Sequence, residues 1–368
     1  MKITIPRQDL LDTVNKVKTV VSAKSALPIL SHILIEARES SVRLSATDLK
    51  VSIECTVDCT VEEPGALTVS SQRLAMILGE LPNADIGLEL GENNVISLTC
   101  GRIHTKLFSM APEEFPPIRA FDNIEPLVLP QKMVKGMFGR TMFAICLDQA
   151  RYNLTGLLVE LNEGKLTTVA TDGRRMSYSR EAEGIPEGVN IKVVVPGKMI
   201  TELERLLGSE GEMEVFIDES QTAFAFGSTR LVTALIEGNF PNYEVVIPKS
   251  HDKEAVINTA LFMEAVRRTR TMTNDRFNSV RFVLGTGVMT LKVVTPEVGE
   301  YEEEIPIEYD GEKVEIAFNP DFVLDILRRV ESEMVCLILK DSVNPGILKP
   351  WSDAPLDNYV NIVMPIRL

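Results

Sequence analysis

The chain repeats itself. Ser45-Ala46-Thr47-Asp48-Leu49-Lys50-Val51-Ser52 returns as Val169-Ala170-Thr171-Asp172-Gly173-Arg174-Arg175-Met176-Ser177, with the two Thr-Asp pairs 124 positions apart. Glu114-Phe115-Pro116-Pro117-Ile118 is answered by Asn239-Phe240-Pro241-Asn242-Tyr243 at a spacing of 125. A fixed long period points to one supersecondary unit used several times, and this limits the fold more than any local propensity does.

The Phe-Pro segments read as unit ends. Each is followed by a short β-like run and an amphipathic helix: Leu127-Val128-Leu129 before residues 131–146, and Ala255-Val256-Ile257 before 260–273. The opening Ile3-Thr4-Ile5 before residues 8–21 is the third copy. A second helix is expected midway through each unit, at 71–80, 198–207 and 320–330. The intervening stretches alternate as half-buried strands, among them Ile33-Leu34-Ile35-Glu36, Met213-Glu214-Val215-Phe216-Ile217 and Val335-Cys336-Leu337-Ile338-Leu339. Turn signals at Pro64-Gly65, Gly91-Glu92-Asn93-Asn94, Glu163-Gly164 and Asp310-Gly311 fall between them. Each unit therefore reads as β-α-β-β-β written twice, and the class is α+β with three similar domains, at 1–120, 126–248 and 250–368. The third copy lacks a clear Thr-Asp-Gly equivalent. Strand edges left at the ends of so short an array invite closure by a second chain.

With 368 residues, 45% hydrophobic and 25% charged, the composition is globular and excludes disordered, collagenous and membrane classes. No apolar signal core opens the chain and no run is long enough to span a bilayer, so the expected address is the cytoplasm. Cys55, Cys59, Cys100, Cys146 and Cys336 are odd in number and lie mostly in apolar strand-like stretches, as reduced structural thiols do. Cys55 and Cys59 have no neighbouring Cys or His to complete a metal site, so no metal or cofactor is expected. Asn153-Leu154-Thr155 fits the glycosylation pattern only by coincidence.

A net charge of −15 argues against a polyanionic partner unless the charge is sorted. It is sorted. Six helix windows, the first taken as 7–24, hold 15 basic and 8 acidic residues, a surplus of +7 that leaves −22 for the rest. In the 131–146 window Val134, Met137, Phe138, Met142 and Ile145 form the inward stripe, leaving Lys132, Lys135 and Arg140 outside. In 260–273, Phe262, Ala265, Val266 and Thr269 face inward while Arg267 and Arg268 flank the exposed side. In the first helix Leu10, Val14, Val17 and Val21 face inward and Lys16 outward. Two readings stand: ordinary solvated helix faces, or six helices lining one positive wall that meets a phosphate backbone without reading its sequence. The second makes Arg73, Lys132, Lys135, Arg205, Arg267 and Arg268 DNA-contact candidates.

Five landmarks in order carry a family resemblance: Met1-Lys2-Ile3-Thr4 with Leu27-Pro28-Ile29-Leu30, the run Arg151-Tyr152-Asn153-Leu154-Thr155-Gly156, Ala170-Thr171-Asp172-Gly173-Arg174-Arg175, Phe240-Pro241-Asn242-Tyr243, and the terminal Val363-Met364-Pro365-Ile366-Arg367-Leu368. Over essentially its whole length the chain resembles the β subunit of bacterial DNA polymerase III, the sliding clamp. The resemblance implies a non-enzymatic processivity factor: a head-to-tail homodimer closed into a six-domain ring around duplex DNA. Topological linkage would let an acidic protein hold DNA through weak, screened contacts and still slide.

By the same resemblance Lys24, Arg151, Tyr152 and Lys198 are DNA-contact positions, with Gly197 standing where the family often has a second basic residue. An apolar pocket for short peptides of the polymerase III alpha subunit, the clamp loader, other polymerases and repair proteins maps to Leu154, Thr171, Gly173, Arg174, Arg175, Met176, Pro241, Val246, Ile362, Met364 and Ile366. Methionine and branched aliphatics suit an adaptable groove, and flanking arginines can hold polar or acidic peptide groups. Arg174, Val245 and Pro345 stand where His, Arg and Ser are common, which shifts the expected peptide preference. The dimer seam is expected to set Arg102 and Lys106 against Glu297, Glu300, Glu302, Glu303 and Glu304, with Met272 beside them.

Other classes find no support. The sequence has no Walker loop, dinucleotide fingerprint or Gly-x-Ser-x-Gly elbow, and His32, His104 and His251 are scattered. A sequence-specific regulator would show a recognition helix or zinc module and a basic domain.

Overall fold

The computed structural model describes residues 1–21, 27–247, 252–352 and 358–367. Lys24 lies outside them. The first repeat runs β1 (Lys2–Pro6), α1 (Arg7–Val17), β2 (His32–Arg38), β3 (Ser41–Thr47), β4 (Val51–Asp58), a short β5 (Thr60–Glu63), β6 (Gly65–Ser70), α2 (Ser71–Glu80), β7 (Asp85–Leu90), β8 (Val95–Cys100) and β9 (Ile103–Phe108). The second runs β10 (Leu127–Pro130), α3 (Gln131–Thr141), β11 (Gly156–Asn162), β12 (Lys165–Thr171), β13 (Arg175–Glu181), β14 (Ile191–Pro196), α4 (Gly197–Leu206), β15 (Glu212–Ile217), β16 (Gln221–Phe226) and β17 (Thr229–Ala234). The third runs β18 (Lys253–Asn258), α5 (Thr259–Arg270), β19 (Val280–Gly285), β20 (Val288–Thr295), β21 (Gly299–Pro306), β22 (Val314–Phe318), α6 (Pro320–Leu327), β23 (Met334–Leu339), β24 (Gly346–Pro350) and β25 (Tyr359–Val363). Each repeat is β-α-β-β-β twice over, with β5 as an addition in the first.

The third copy of the Thr motif becomes visible in three dimensions. Thr47, Thr171 and Thr295 end β3, β12 and β20, again 124 positions apart. Two residues on, Leu49, Gly173 and Glu297 all take positive φ, at 73°, 81° and 67°. The backbone turn is kept while the residues filling it change. In the first two copies the aspartate holds the turn shut: Asp48 Oδ1 accepts from the amides of Lys50 and Val51, and Asp172 Oδ1 from those of Arg174 and Arg175. Such side-chain-to-backbone bonds are turn chemistry.

The sheets do not respect the repeats. One eight-stranded sheet has the order β10-β15-β16-β17-β4-β3-β2-β6, joining the second repeat to the first through β17 and β4. Another, β14-β11-β12-β13-β25-β24-β23-β18, joins the second to the third through β13 and β25. Two smaller sheets, β5-β1-β7-β8-β9 and β21-β20-β19-β22, belong to the first and third repeats alone. The chain accordingly divides into two compact units, Met1–Met133 with Thr201–Leu235 and Val134–Ile200 with Ile236–Leu368. Every sheet lies wholly within one unit.

Alternation builds the cores. β1 buries Ile3 and Ile5 and exposes Pro6, while α1 lays Leu10, Val14 and Val17 inward. In the second unit Phe262, Ala265 and Val266 of α5 and Val323, Leu324 and Leu327 of α6 share a core with Phe282, Leu291 and Ile316. The helices stop sooner than their periodicity predicts. α1 ends at Val17 in tight three-residue turns, so Val20 is buried in place of Val21. α3 ends at Thr141, whose hydroxyl donates back to the Met137 carbonyl. Met142 and Ile145 consequently leave the stripe and are only half-buried.

Shorter helices also carry less charge. Within their observed bounds they hold 11 basic and 8 acidic residues, a surplus of +3 in place of +7. The missing cations include Lys18, Arg328 and Arg329, just past helix C-termini, where a positive charge complements the helix dipole.

Candidate functional site

A cavity of about 240 Å³ in the second unit gathers residues from five separate stretches of chain: Leu154, then Thr171 and Gly173 of the turn with Arg175 and Met176, the Phe240-Pro241 pair with Tyr243, then Val246, and finally Ile362 and Met364. The β13–β25 ladder creates it. Met176 lies opposite Ile362 and Arg175 opposite Val363, and the Met364 amide extends the pairing to the Arg174 carbonyl at 2.9 Å.

The floor is apolar. Leu154, Met176, Phe240, Tyr243 and Ile362 are buried, while Val246 and Met364 at the mouth are 38% and 41% exposed. Tyr243 packs on Tyr178 with ring centroids 6.0 Å apart, and its hydroxyl donates to Glu160 Oε2 at 3.0 Å. Burial and that carboxylate hold the phenol far above its usual pKa, so it stays a neutral donor.

Arg175 is the one charged residue in the lining, and its own neighbours saturate it. It donates to Asp172 Oδ2 at 3.1 Å, Asp325 Oδ2 at 2.6 Å and the Phe143 carbonyl at 2.9 Å. Its guanidinium also lies over the rings of Phe143 and Phe322 at 5.3 and 4.6 Å. This arrangement sets a shape and offers apolar side chains a place to be buried; it presents no nucleophile with a base.

Nine of the eleven residues expected in a peptide pocket line this cavity. Arg174 and Ile366 do not; they line a larger, polar cavity of about 570 Å³ with residues of the 275–281 segment. Phe240 and Tyr243 were not among the expected residues, although their Phe-Pro-Asn-Tyr run had already stood out as a repeat end.

The DNA-contact candidates scatter over helices and one short turn. Arg73, Lys132, Lys198, Arg205, Arg267 and Arg268 are exposed and Lys135 is half-buried. Among the described residues Arg73, Lys132 and Arg267 form no ion pair with a carboxylate. Arg205 is tied to Glu202 at 2.7 Å and to the Thr19 hydroxyl. Arg151 and Tyr152 sit on the short helix leading to Leu154, where Arg151 donates to the Asp172 carbonyl at 2.6 Å and so braces the turn lining the cavity.

Of the seam candidates, Lys106 is exposed on β9 and Arg102 lies in the turn before it, not on the strand. Glu297 and Glu300 are exposed at the start of the β21 edge, and the Met272 carbonyl accepts from the Thr295 hydroxyl at 2.6 Å. Arg268 and Glu303, expected on different surfaces, hold each other at 2.5 Å. That hydrogen bond keeps the Glu303 carboxyl below its ordinary pKa. All five cysteines are free, and Cys59 alone is not buried. Burial raises the Cys336 thiol to about 11. Among the described residues no cluster of three or more His, Cys, Asp or Glu could hold a metal, and no helix is long and apolar enough to cross a membrane.

Family models of the DNA polymerase III beta subunit match the chain in three consecutive pieces: the N-terminal domain at residues 1–119, the central domain at 128–242 and the C-terminal domain at 244–367. The chain belongs to the DNA polymerase III beta subunit family, the beta sliding clamps. Beta sliding clamps of Chlamydia muridarum and Pseudomonas aeruginosa are 33% and 32% identical to it, covering all of this chain and 99% and 100% of theirs. The crystal structure of the DNA polymerase III subunit beta from Pseudomonas aeruginosa superposes with a TM-score of 0.94 over both full chains at 32% identity. The Bacillus subtilis sliding clamp gives 0.95 at 26% identity, with 100% of this chain and 99% of that one covered. The fold is the three-domain α+β clamp fold. As a beta sliding clamp the protein is the processivity factor of DNA polymerase III and a non-catalytic one, with DNA and polymerase as its partners in kind.

Proposed function

We propose that two copies of this chain close head to tail into a ring that encircles duplex DNA without reading its sequence, and that the apolar cavity docks short peptides of its partners. The observation that carries the ring is a pair of unlike sheet edges. β9 ends the five-stranded sheet with its outer side unpaired among the described residues; it bears His104 and Lys106, with Arg102 in the turn before it and Phe108 80% exposed. β21 ends the four-stranded sheet and bears Glu300, Glu302, Glu303 and Glu304. An exposed edge is a template for another strand. Two different, complementary edges on one chain produce a heterologous contact, which repeats until it closes.

In this reading the domains run 1–120, 126–248 and 250–368, and the protein works in the cytoplasm. Lys24, Arg73, Lys132, Lys135, Arg151, Tyr152, Lys198, Arg205, Arg267 and Arg268 touch DNA. Arg102, Lys106, Met272, Glu297, Glu300 and Glu303 form the seam. The polymerase III alpha subunit, the clamp loader, other polymerases and repair proteins share the cavity residues. Within this set the observed contacts rank Arg73, Lys132 and Arg267 as the freest phosphate ligands, ahead of Arg205 and Arg268.

Retention on DNA tests the ring. Protein loaded onto a nicked circle should stay bound through a high-salt wash and run off once the circle is cut. Equal dissociation from circle and linear DNA would defeat the topological reading.

A further inference from the structure

The apolar cavity sits where the second repeat pairs with the third, and the first repeat pairs with the second through a ladder of the same kind. Shifts of 124 and 125 positions carry Leu154 to Leu30, Gly173 to Leu49, Met176 to Ser52, Phe240 to Phe115, Tyr243 to Ile118 and Val246 to Phe121. The ladders agree with the shifts: Ser52 lies opposite Val232 in β4–β17 as Met176 lies opposite Ile362 in β13–β25. All of these counterparts fall within the first unit.

Both junctions begin alike. Phe115 packs with Ile29 and Leu30, as Phe240 shares a core with Leu154. Beyond that they part. Val246 is 38% exposed at the mouth of the cavity, whereas Phe121 is 7% exposed and packs with Ala223 and with Val232, the counterpart of the floor residue Ile362. Ile118 packs against the clusters of both Phe115 and Phe121 and so spans the gap between them. The sizes compensate as close packing requires: the floor shrinks from Met176 and Ile362 to Ser52 and Val232, and the residue above it grows from Val246 to Phe121. Charge fastens the segment as well. Arg119 pairs with Asp218 at 2.5 Å, Arg230 donates to the Arg119 carbonyl at 3.1 Å, and both guanidiniums lie on the Phe121 ring, at 5.5 and 5.7 Å. The second junction has Glu244 and Val360 at the places of Arg119 and Arg230 and lacks this clasp.

We propose that the first junction is a groove occupied by the chain's own strap, residues 115–124 with Ile118 and Phe121 as anchors, so that each chain keeps one groove open to partners and closes a second by itself. The likeness to a groove rests on reading the apolar cavity as a peptide site, and the test blocks that cavity so that the two claims fail separately.

The probe is a fluorescein-labelled peptide of residues 112–125, added to the full-length chain carrying Met364→Arg to block the apolar cavity. Fluorescence anisotropy should show weak binding while the strap is intact. Emptying the strap with Ile118→Ser and Phe121→Ser should tighten binding at least about tenfold, to one peptide per chain, because a few buried anchors carry most of such an affinity. A probe bearing the same two serines should not bind. Arg119→Ser, a surface change that opens the clasp and leaves the core in place, should give a smaller gain; if circular dichroism shows the double variant unfolded, this chain decides alone. Equal, weak binding to all the folded chains overturns the self-occupied groove and leaves the apolar cavity untouched. Tight binding to the emptied strap, with no apolar peptide taken up by the cavity of the wild-type chain, supports the self-occupied groove and overturns the peptide reading of the cavity.

Discussion

Arg175 shows how a charged residue can shape an apolar site without taking part in it. Two carboxylates, a carbonyl and two aromatic faces surround its guanidinium, and its side chain is 11% exposed. Truncation to alanine strands Asp172 and Asp325 and opens the cavity floor. Breaking such a cluster should cost about 3 kcal/mol, near the lower end for buried pairs because Asp325 keeps 30% exposure. Urea unfolding of Arg175→Ala followed by tryptophan fluorescence and circular dichroism checks it; an unchanged midpoint would mean the cluster is ornamental. The residue type was legible in the sequence, since Arg175 stood in the repeated Thr-Asp block. Its role was not, because Asp325 lies 150 positions away and only the fold brings it near.

At the scale of elements, strand and helix order followed from periodicity, and the errors were at ends. Hydrophobic spacing says where a helix could continue, whereas local hydrogen bonds decide where it stops; the Thr141 back-bond and the tight turns after Val17 carry no periodic signal. The third Thr turn was hidden for a related reason: a positive φ is what the turn demands, and Leu, Gly and Glu all supply it, at some strain for the first and last. The edges β9 and β21 offer the sharpest test at this scale. Charge reversal at both Arg102 and Lys106 should shift a sedimentation-velocity profile toward monomer at physiological salt, and a matching reversal at Glu300 and Glu304 should restore the dimer. A dimer indifferent to both changes would move the seam elsewhere.

For the whole molecule, three sequence repeats became two compact units because strand pairing ignores the repeat boundaries. Local alternation reveals that β17 and β4 are strands; it says nothing about their lying side by side across more than 170 residues, as the Thr229–Cys55 pair does. That ladder and its counterpart between β13 and β25 have a mechanical consequence. Within each unit, strands from two neighbouring repeats are knitted by main-chain bonds, so those parts cannot swing on one another. Amides along β4, β17, β13 and β25 should exchange with deuterium among the slowest in the protein, and diluting the protein should speed exchange in β9 and β21 while leaving those four unchanged. A ladder that crosses repeat boundaries also decides which pieces fail together: each unit should unfold as one block, whichever repeat its strands came from.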